Sequence, residues 1–272
     1  MAGIRQERPS SRDRQPTADR LPSRSSRRHW YLFAGTVGLA AIVLVVLIVV
    51  SSNRSGPPRR PVTPAVVTMV QGLVNQWVGD TTEAGTIWGR STAPVTDREF
   101  IDPQCSACDQ EFVGTSRQLG PMGQLNVLIR SGILKIEFVP RRTVTPTDPM
   151  LEQEWAAVLA AAAQNKAVEF LFTNYAFQPP ERSGRFDEHF IEATAKATPG
   201  LDFRRWQAAW ASPRIRVAAR SAVRRGDASP FTSTPTAVFS STAGRHVITG
   251  AEPVTVYGEA VRALSRSEDA RR

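Results

Sequence analysis

Residues 100–112 read Phe100-Ile101-Asp102-Pro103-Gln104-Cys105-Ser106-Ala107-Cys108-Asp109-Gln110-Glu111-Phe112, with two cysteines between an apolar run and a helix-like run. Cys105 and Cys108 are the only cysteines among 272 residues, so all thiol chemistry lies here. If the second half of the stretch begins a helix, free backbone N–H groups and the positive end of the helix dipole stabilise the Cys105 thiolate. The spacing therefore predicts that Cys105 is the attacking sulfur and Cys108, one turn further along, the resolving sulfur.

Three kinds of site use a Cys-x-x-Cys pair. A zinc site needs about four N or S ligands, and the only histidines are His29, His189 and His246. A structural disulfide that closes so small a loop restrains the unfolded chain only weakly. A redox pair is typical of Cys-x-x-Cys beside a strand-to-helix pattern. We favour the redox interpretation and expect no metal ion and no cofactor beyond a redox-active Cys105–Cys108 disulfide.

The charge of the chain is concentrated at its N-terminal end. The net charge of +9 and the pI of about 10.6 alone would suggest a nucleic-acid-binding protein. Residues 1–60, however, carry 11 Lys and Arg against 3 Asp and Glu, whereas residues 61–272 carry 23 against 22. Because the remainder is nearly neutral, we expect no nucleic-acid partner.

The N-terminal end predicts a membrane anchor. Residues 1–29 are rich in Arg, Ser and Pro and poor in large apolar side chains, which predicts a disordered basic tail. Residues 30–50 carry no charge, and at about 1.5 Å per residue they reach across a hydrocarbon core of roughly 30 Å, which predicts a transmembrane helix. A cleaved signal peptide is the alternative, but the apolar run is longer than a usual h-region and residues 51–54 offer no Ala-x-Ala-like cleavage site.

The arginines on the two sides of this span predict its orientation. Eight arginines precede residues 30–50, whereas Arg54, Arg59 and Arg60 follow closely. By the positive-inside rule the tail is cytoplasmic. We therefore expect a single-pass protein of the cell membrane with an extracytoplasmic catalytic domain, in a compartment that permits disulfides.

The rest of the chain predicts an α/β domain. Residues 51–84 are expected to form a stalk and a juxtamembrane helix, because apolar residues recur at helical spacing over 66–77. Residues 85–268 form the domain, with a helical insertion at about 149–225. Strands are predicted at 86–88, 95–101, 133–139, 234–240 and 246–250, and helices at 109–128 with a break at 120–121, 150–177, 186–198, 202–211, 213–225 and 253–264. The second and third of these strands are expected to pair in parallel.

This order of elements carries a family resemblance over about residues 85–265. Three short motifs add to it: Ala93-Pro94-Val95-Thr96, Glu99-Phe100-Ile101-Asp102 and Cys105-Ser106-Ala107-Cys108. The chain resembles the DsbA-like branch of the thioredoxin superfamily, and more narrowly its membrane-anchored members in high-GC Gram-positive bacteria. The resemblance implies a thioredoxin-like fold with a helical insertion, preceded here by one transmembrane helix and a disordered tail.

The resemblance also implies roles for five residues. Cys105 and Cys108 match the nucleophilic and resolving cysteines of the family. Pro235 matches a proline with a cis peptide bond beside the active site, which exposes the backbone of Thr234 to substrate. Glu99 matches a buried acid beneath the cysteines that helps to move protons; the alternative for Glu99 is a partly exposed carboxylate of an edge strand.

The function implied by the resemblance is thiol:disulfide oxidoreduction that forms disulfides in exported proteins. Reduced exported proteins would be the clients, and a membrane partner of the DsbB or vitamin K epoxide reductase type would reoxidise the pair. The dipeptide Ser106-Ala107 matches neither Pro-His of the strong oxidants nor Gly-Pro of thioredoxin. Two alternatives therefore stay open: a reductase or isomerase for particular clients, and a non-catalytic thioredoxin-fold binding module.

Overall fold

A computed structural model describes residues 63–79, 81–115, 120–147 and 149–269. The predicted tail at 1–29, the membrane helix at 30–50 and most of the stalk lie outside these ranges. Within them, no helix combines the length and the apolar character needed to cross a bilayer. The membrane anchor therefore stays a prediction.

The described part of the chain contains one mixed sheet of six strands in the order β1-β2-β4-β3-β5-β6. Its strands are β1 Glu83–Ala84, β2 Ile87–Trp88, β3 Val95–Ile101, β4 Leu134–Pro140, β5 Thr236–Ser241 and β6 Gly244–Thr249. Strands β3 and β4 pair in parallel, and β5 pairs antiparallel with both β3 and β6. The predicted parallel pair and the predicted hairpin are both confirmed.

Helices flank the sheet and fill the long connection between β4 and β5. They are α1 Pro64–Val78, α2 Ser106–Phe112, α3 Pro121–Gln124, α4 Asn126–Arg130, α5 Met150–Ala162, α6 Ala167–Phe177, α7 Glu188–Ala197, α8 Phe203–Ala211, α9 Pro213–Asp227 and α10 Val254–Asp269. Helices α5 to α9 form the predicted helical insertion. The α/β arrangement expected from the sequence is thereby confirmed.

Two predicted helices end earlier than expected. The helix predicted at 109–128 ends at Phe112, because Gly114 adopts a φ of 90° that stops the helical backbone. The helix predicted at 150–177 is two helices, because Asn165 adopts a φ of 53° between them. Asparagine tolerates this left-handed conformation better than most side chains.

Helix α1 belongs to the domain, which therefore begins before the predicted boundary at residue 85. The predicted helix exists, but it does not stand apart from the domain as a stalk. Val70, Val74 and Trp77 on its apolar side are buried. The Trp77 ring lies 5.2 Å from the ring of Phe172 on α6. Burial of this stripe stabilises the helix against the domain.

One face of β3 places charged side chains under the cysteine-bearing helix. Asp97 and Glu99 alternate with outward residues, and the neighbours that share their face are Phe239 of β5 and Phe138 of β4. Phe138 contacts Phe112 of α2 at 5.5 Å between ring centroids. Asp97 and Glu99 therefore lie between the sheet and α2, in the interior.

Candidate active site

The two cysteines sit at the start of α2, as the sequence predicts. Both are free thiols. Cys105 is the N-cap residue, with extended backbone at φ −78° and ψ 125°, and Cys108 lies inside the helix. Cys105 is 7% exposed and Cys108 is 0% exposed. Only Cys105 is therefore within reach of a sulfur from another protein.

The surroundings of the two thiols shift their pKa values in opposite directions. A hydrogen bond from the Cys108 side chain lowers the pKa of Cys105 to about 7, with help from the Thr234 side chain and the backbone N–H groups of Cys108 and Ala107, against the opposing effect of burial. Burial raises the pKa of Cys108 well above its usual value, and the hydrogen bond to Cys105 adds to the rise. Near neutral pH the outer sulfur is therefore partly ionised while the inner one keeps its proton.

Thr234 and Pro235 lie beside Cys105. The peptide bond between them is cis, as the resemblance implies. The Cys105 thiol donates to the carbonyl oxygen of Thr234 across 3.4 Å, and the Thr234 and Thr143 hydroxyls are 2.6 Å apart. The structure thus brings both predicted substrate-binding residues to the reactive sulfur, while their contact with substrate stays a prediction.

Glu99 is fully buried, which confirms the predicted burial and excludes the exposed edge-strand alternative. Asp97 and Glu111 are buried with it. A side-chain hydrogen bond joins Asp97 and Glu99 and acts in opposite directions on their two pKa values, lowering that of Asp97 and raising that of Glu99. Burial raises the pKa of Glu99 well above its usual value, and the charges of Glu111 and Asp97 raise it further. Burial likewise raises the pKa of Asp97 to about 7.

Glu111 links this acidic cluster to the inner sulfur. The Tyr257 hydroxyl donates to Glu111 Oε1 across 2.6 Å. Burial raises the pKa of Glu111 well above its usual value, while the hydrogen bond from Tyr257 works in the opposite direction. The charge of Glu111 in turn contributes to raising the pKa of Cys108. Glu111 was not among the predicted site residues, although its position three residues after Cys108 places both on neighbouring parts of one helix face.

Asp102 fixes the loop that leads into the cysteines. Its Oδ1 accepts the Gln104 N–H at 3.0 Å, and its Oδ2 accepts the N–H groups of Thr143 at 2.8 Å and Val144 at 3.0 Å. From α6, the Tyr175 hydroxyl donates to the Asp102 carbonyl oxygen across 3.2 Å. Burial raises the pKa of Asp102, and the three backbone N–H groups oppose that rise. This carboxylate therefore joins the loops after β3 and β4 beneath Cys105.

The helical insertion adds one further side chain to the site. Oε1 of Glu181, which follows α6, accepts the backbone N–H of Ser106 at 2.7 Å. Arg182 Nε donates to the carbonyl oxygen of Val144 at 3.1 Å. The sequence gives no signal for these contacts, because Glu181 and Ser106 are 75 residues apart along the chain.

The arrangement is suited to dithiol–disulfide chemistry. It combines an ionisable outer thiol, a protonated inner thiol and buried carboxyls whose pKa values are raised. Such a pair exchanges with other thiols through a mixed disulfide. Within the described ranges, no three His, Cys, Asp or Glu side chains are grouped as metal ligands would be.

Comparison with known proteins gives the same fold. A family model described as Thioredoxin matches residues 81–244, more than half of the chain. Among solved structures, α-DsbA1 of Wolbachia pipientis is 12% identical with a TM-score of 0.54, over 69% of this chain and 94% of that one. BdbD of Bacillus subtilis is 15% identical with a TM-score of 0.52, over 68% and 99%. DsbA of Chlamydia trachomatis is 14% identical with a TM-score of 0.51, over 77% and 98%. No curated protein sequence matches the chain.

Proposed function

The chain belongs to the thioredoxin family, and we propose that it is a thiol:disulfide oxidoreductase that forms disulfide bonds in exported proteins. One observation carries the thiol-exchange chemistry: Cys105 caps the start of α2 and contacts the carbonyl oxygen of Thr234 at the cis Thr234-Pro235 bond, while Cys108 is fully buried inside the helix. The proposed direction of the reaction follows from the lowering of the Cys105 pKa from its usual value. Stabilising the thiolate of Cys105 stabilises the reduced pair relative to its disulfide. A pair that favours its reduced state oxidises other thiols.

The reaction begins with the Cys105–Cys108 disulfide. A client thiolate attacks the Cys105 sulfur, the bond between the two enzyme sulfurs breaks, and Cys108 leaves with the electron pair. A second client thiolate then attacks the client sulfur of the mixed disulfide and releases the Cys105 thiolate. The client gains one disulfide, and two electrons remain on the enzyme as a dithiol.

Proton transfer to Cys108 is the proposed task of the acidic cluster. Cys108 leaves as a thiolate in a fully buried position, where a charge is costly. A nearby carboxyl that holds a proton near neutral pH removes this cost by donating it. Glu99 and Glu111 both have raised pKa values through burial, and we assign the proton relay to them jointly.

Client peptides would bind beside the proline of the site. Thr234 is 8% exposed, and its carbonyl oxygen contacts the Cys105 sulfur. A client segment that lies beside residues 234–235 would place its cysteine at Cys105. We propose that the Thr234 backbone pairs with such a segment in the manner of an added strand.

Membrane tethering is part of the proposal and rests on the sequence alone. Residues 30–50 would anchor the chain with a cytoplasmic tail and an extracytoplasmic domain, as in membrane-anchored DsbA-like proteins of high-GC Gram-positive bacteria. A membrane protein of the DsbB or vitamin K epoxide reductase type would take the two electrons. External protease added to spheroplasts should digest the domain and spare the tail; a protected domain would contradict this topology.

The enzymatic proposal is tested by oxidative refolding of a reduced secreted protein. The full chain, oxidised and purified in detergent, should form disulfides in reduced ribonuclease A faster than glutathione disulfide alone. The Cys105→Ser variant should have no activity. A chain that leaves the client reduced would contradict the proposal.

A disulfide reductase or isomerase is the second candidate, because one observation favours it. A pKa of about 7 at Cys105 resembles that of the reducing protein thioredoxin more than that of strong oxidants, whose values fall to about 3.5. Insulin reduction in the presence of a thiol reductant separates the two. Efficient reduction of insulin together with no oxidation of ribonuclease A would favour this second candidate.

A further inference from the structure

A carboxylate from the helical insertion occupies a backbone donor beside the reactive sulfur. Glu181 accepts the N–H of Ser106 at 2.7 Å, and Ser106 is the first residue of α2, directly after Cys105. The next two N–H groups, those of Ala107 and Cys108, act instead on the Cys105 sulfur. One helix terminus is therefore shared between a carboxylate and a thiolate.

The segment that carries Glu181 is held by contacts of its own. The Ser183 N–H donates to the Pro180 carbonyl at 3.1 Å and closes a turn around Glu181. Arg182 adopts a φ of 54° within that turn, and its Nε donates to the Val144 carbonyl at 3.1 Å. A non-glycine residue keeps such a backbone only where its surroundings impose it. The fold therefore sets the position of the Glu181 carboxylate.

The charge of Glu181 acts differently on the two redox states. In the reduced state a thiolate at Cys105 places a second negative charge at the same terminus, where like charges oppose each other and compete for the N–H donors. In the disulfide state Cys105 carries no charge. The carboxylate therefore penalises the reduced, ionised form and leaves the disulfide unaffected.

We propose that Glu181 is a positioning residue that holds the Cys105–Cys108 pair at a weaker oxidising strength by competing with the Cys105 thiolate for the start of α2. The proposal rests on the redox role proposed above for Cys105.

The test compares the full chain in detergent with Glu181→Gln and Glu181→Lys. The Cys105 pKa is measured by thiolate absorbance at 240 nm in the reduced protein, without any client. Removing one charge at a helix terminus should lower the pKa by about half a unit, and Glu181→Lys should lower it further. At pH 8 the equilibrium constant with glutathione should shift by up to about threefold toward the reduced enzyme, or ~14 mV. Glu192→Gln on α7, which removes a charge paired with Lys196 in the same insertion, should change neither quantity.

A second variant tests whether the effect of Glu181 depends on its hydrogen bond with the Ser106 N–H or arises from its charge or from a change in local structure. Ser106→Pro removes the N–H that Glu181 accepts, and proline fits the first position of a helix. In this background Glu181→Gln should lower the Cys105 pKa by less than it does in the wild-type chain. An equal shift in both backgrounds would overturn the contact as the cause.

The remaining outcomes each decide the proposal. A Cys105 pKa that is unchanged or raised in both Glu181 variants, or lowered equally by Glu192→Gln, would overturn it. A lowered pKa in a chain that fails to oxidise ribonuclease A would count against the oxidase alone and would still support the tuning role of Glu181.

Discussion

The hydroxyl of Tyr257 on α10 donates to Oε1 of Glu111 on α2 across 2.6 Å, and the ring of Tyr257 is fully buried. The last helix of the chain thereby supplies a hydrogen bond to an acid on the helix that carries the cysteines. Because the donor favours the ionised carboxylate, its loss is felt most when Glu111 is charged.

The Tyr257→Phe variant should be less stable than the wild type by about 1 to 3 kcal/mol, because a buried acceptor loses its donor. The loss should be larger at high pH, where Glu111 ionises, than at low pH, where it is protonated. Urea unfolding of the oxidised protein measures both values. In a Glu111→Gln background the same substitution should cost less at high pH, and an equal cost in both backgrounds would contradict the proposed pairing.

The buried acids on β3 predict a pH dependence of stability. Burial raises the pKa of Asp97 to about 7 and that of Glu99 well above its usual value. The folded state then keeps protons that the unfolded state releases, so this contribution is complete below the unfolded pKa of about 4 and is lost as pH rises toward and beyond 7. Each such group changes the free energy of unfolding by up to about 1.4 kcal/mol per pH unit.

Urea unfolding of the oxidised protein at pH 5, 6 and 7 tests this dependence, since the disulfide removes thiol titration. Glu99→Gln should reduce the fall in stability with rising pH. Glu192→Gln on α7, where the partly buried Glu192 pairs with Lys196, is the matched control and should leave the slope unchanged. Identical slopes in the Glu99→Gln variant and the wild type would refute the role assigned to this carboxyl.

A third prediction concerns Asp102, whose carboxylate accepts backbone N–H groups of Gln104, Thr143 and Val144. An asparagine side chain offers only one acceptor oxygen and turns an NH₂ group toward some of these donors. Asp102→Asn should therefore lower the free energy of unfolding by about 1 to 3 kcal/mol. Hydrogen exchange at the three N–H groups should become faster.

The matched control for Asp102→Asn is Asp187→Asn. Asp187 caps α7 by accepting the Phe190 N–H at 2.9 Å, and asparagine is an equally good N-cap. This control should have almost no effect on stability. Equal effects of the two substitutions would show that the Asp102 contacts are not the source of the loss.

The sequence predicted the parts of the site that depend on local pattern. The start of α2 at the cysteines and the parallel pair of β3 and β4 follow from motif spacing and strand pattern, whereas the burial of Glu99 was implied by the family resemblance. Gly114 and Asn165 ended helices earlier than predicted because backbone conformation at single residues outweighed the helical spacing of the apolar residues around them. Gly114 was visible as a stop signal, and Asn165 was a weaker one, because asparagine adopts a left-handed conformation at a helix end less often than glycine does.

Contacts between distant segments were beyond the sequence. Glu181 and Tyr257 reach α2 from the helical insertion and from the last helix, and no spacing along the chain indicates either contact. Helix α1 carried a clear apolar stripe, but a single stripe does not reveal whether it packs on its own domain. In each case the missing information was which surfaces meet after folding.

The last prediction concerns how Cys108 acidifies Cys105. The largest cause of the lowered Cys105 pKa is the hydrogen bond from the Cys108 side chain. Cys108→Ala removes this donor and should raise the Cys105 pKa from about 7 toward its usual value. Cys108→Ser keeps a hydroxyl donor and should stay closer to the wild type.

Thiolate absorbance at 240 nm measures the Cys105 pKa in both variants, which contain no other thiol. Both should also trap mixed disulfides with client proteins, because neither retains a resolving sulfur, whereas Cys105→Ser should trap almost none because its remaining thiol is fully buried. Equal pKa shifts in the Ala and Ser variants would show that a donor at position 108 does not acidify Cys105. Efficient trapping by Cys105→Ser would reverse the roles of the two sulfurs.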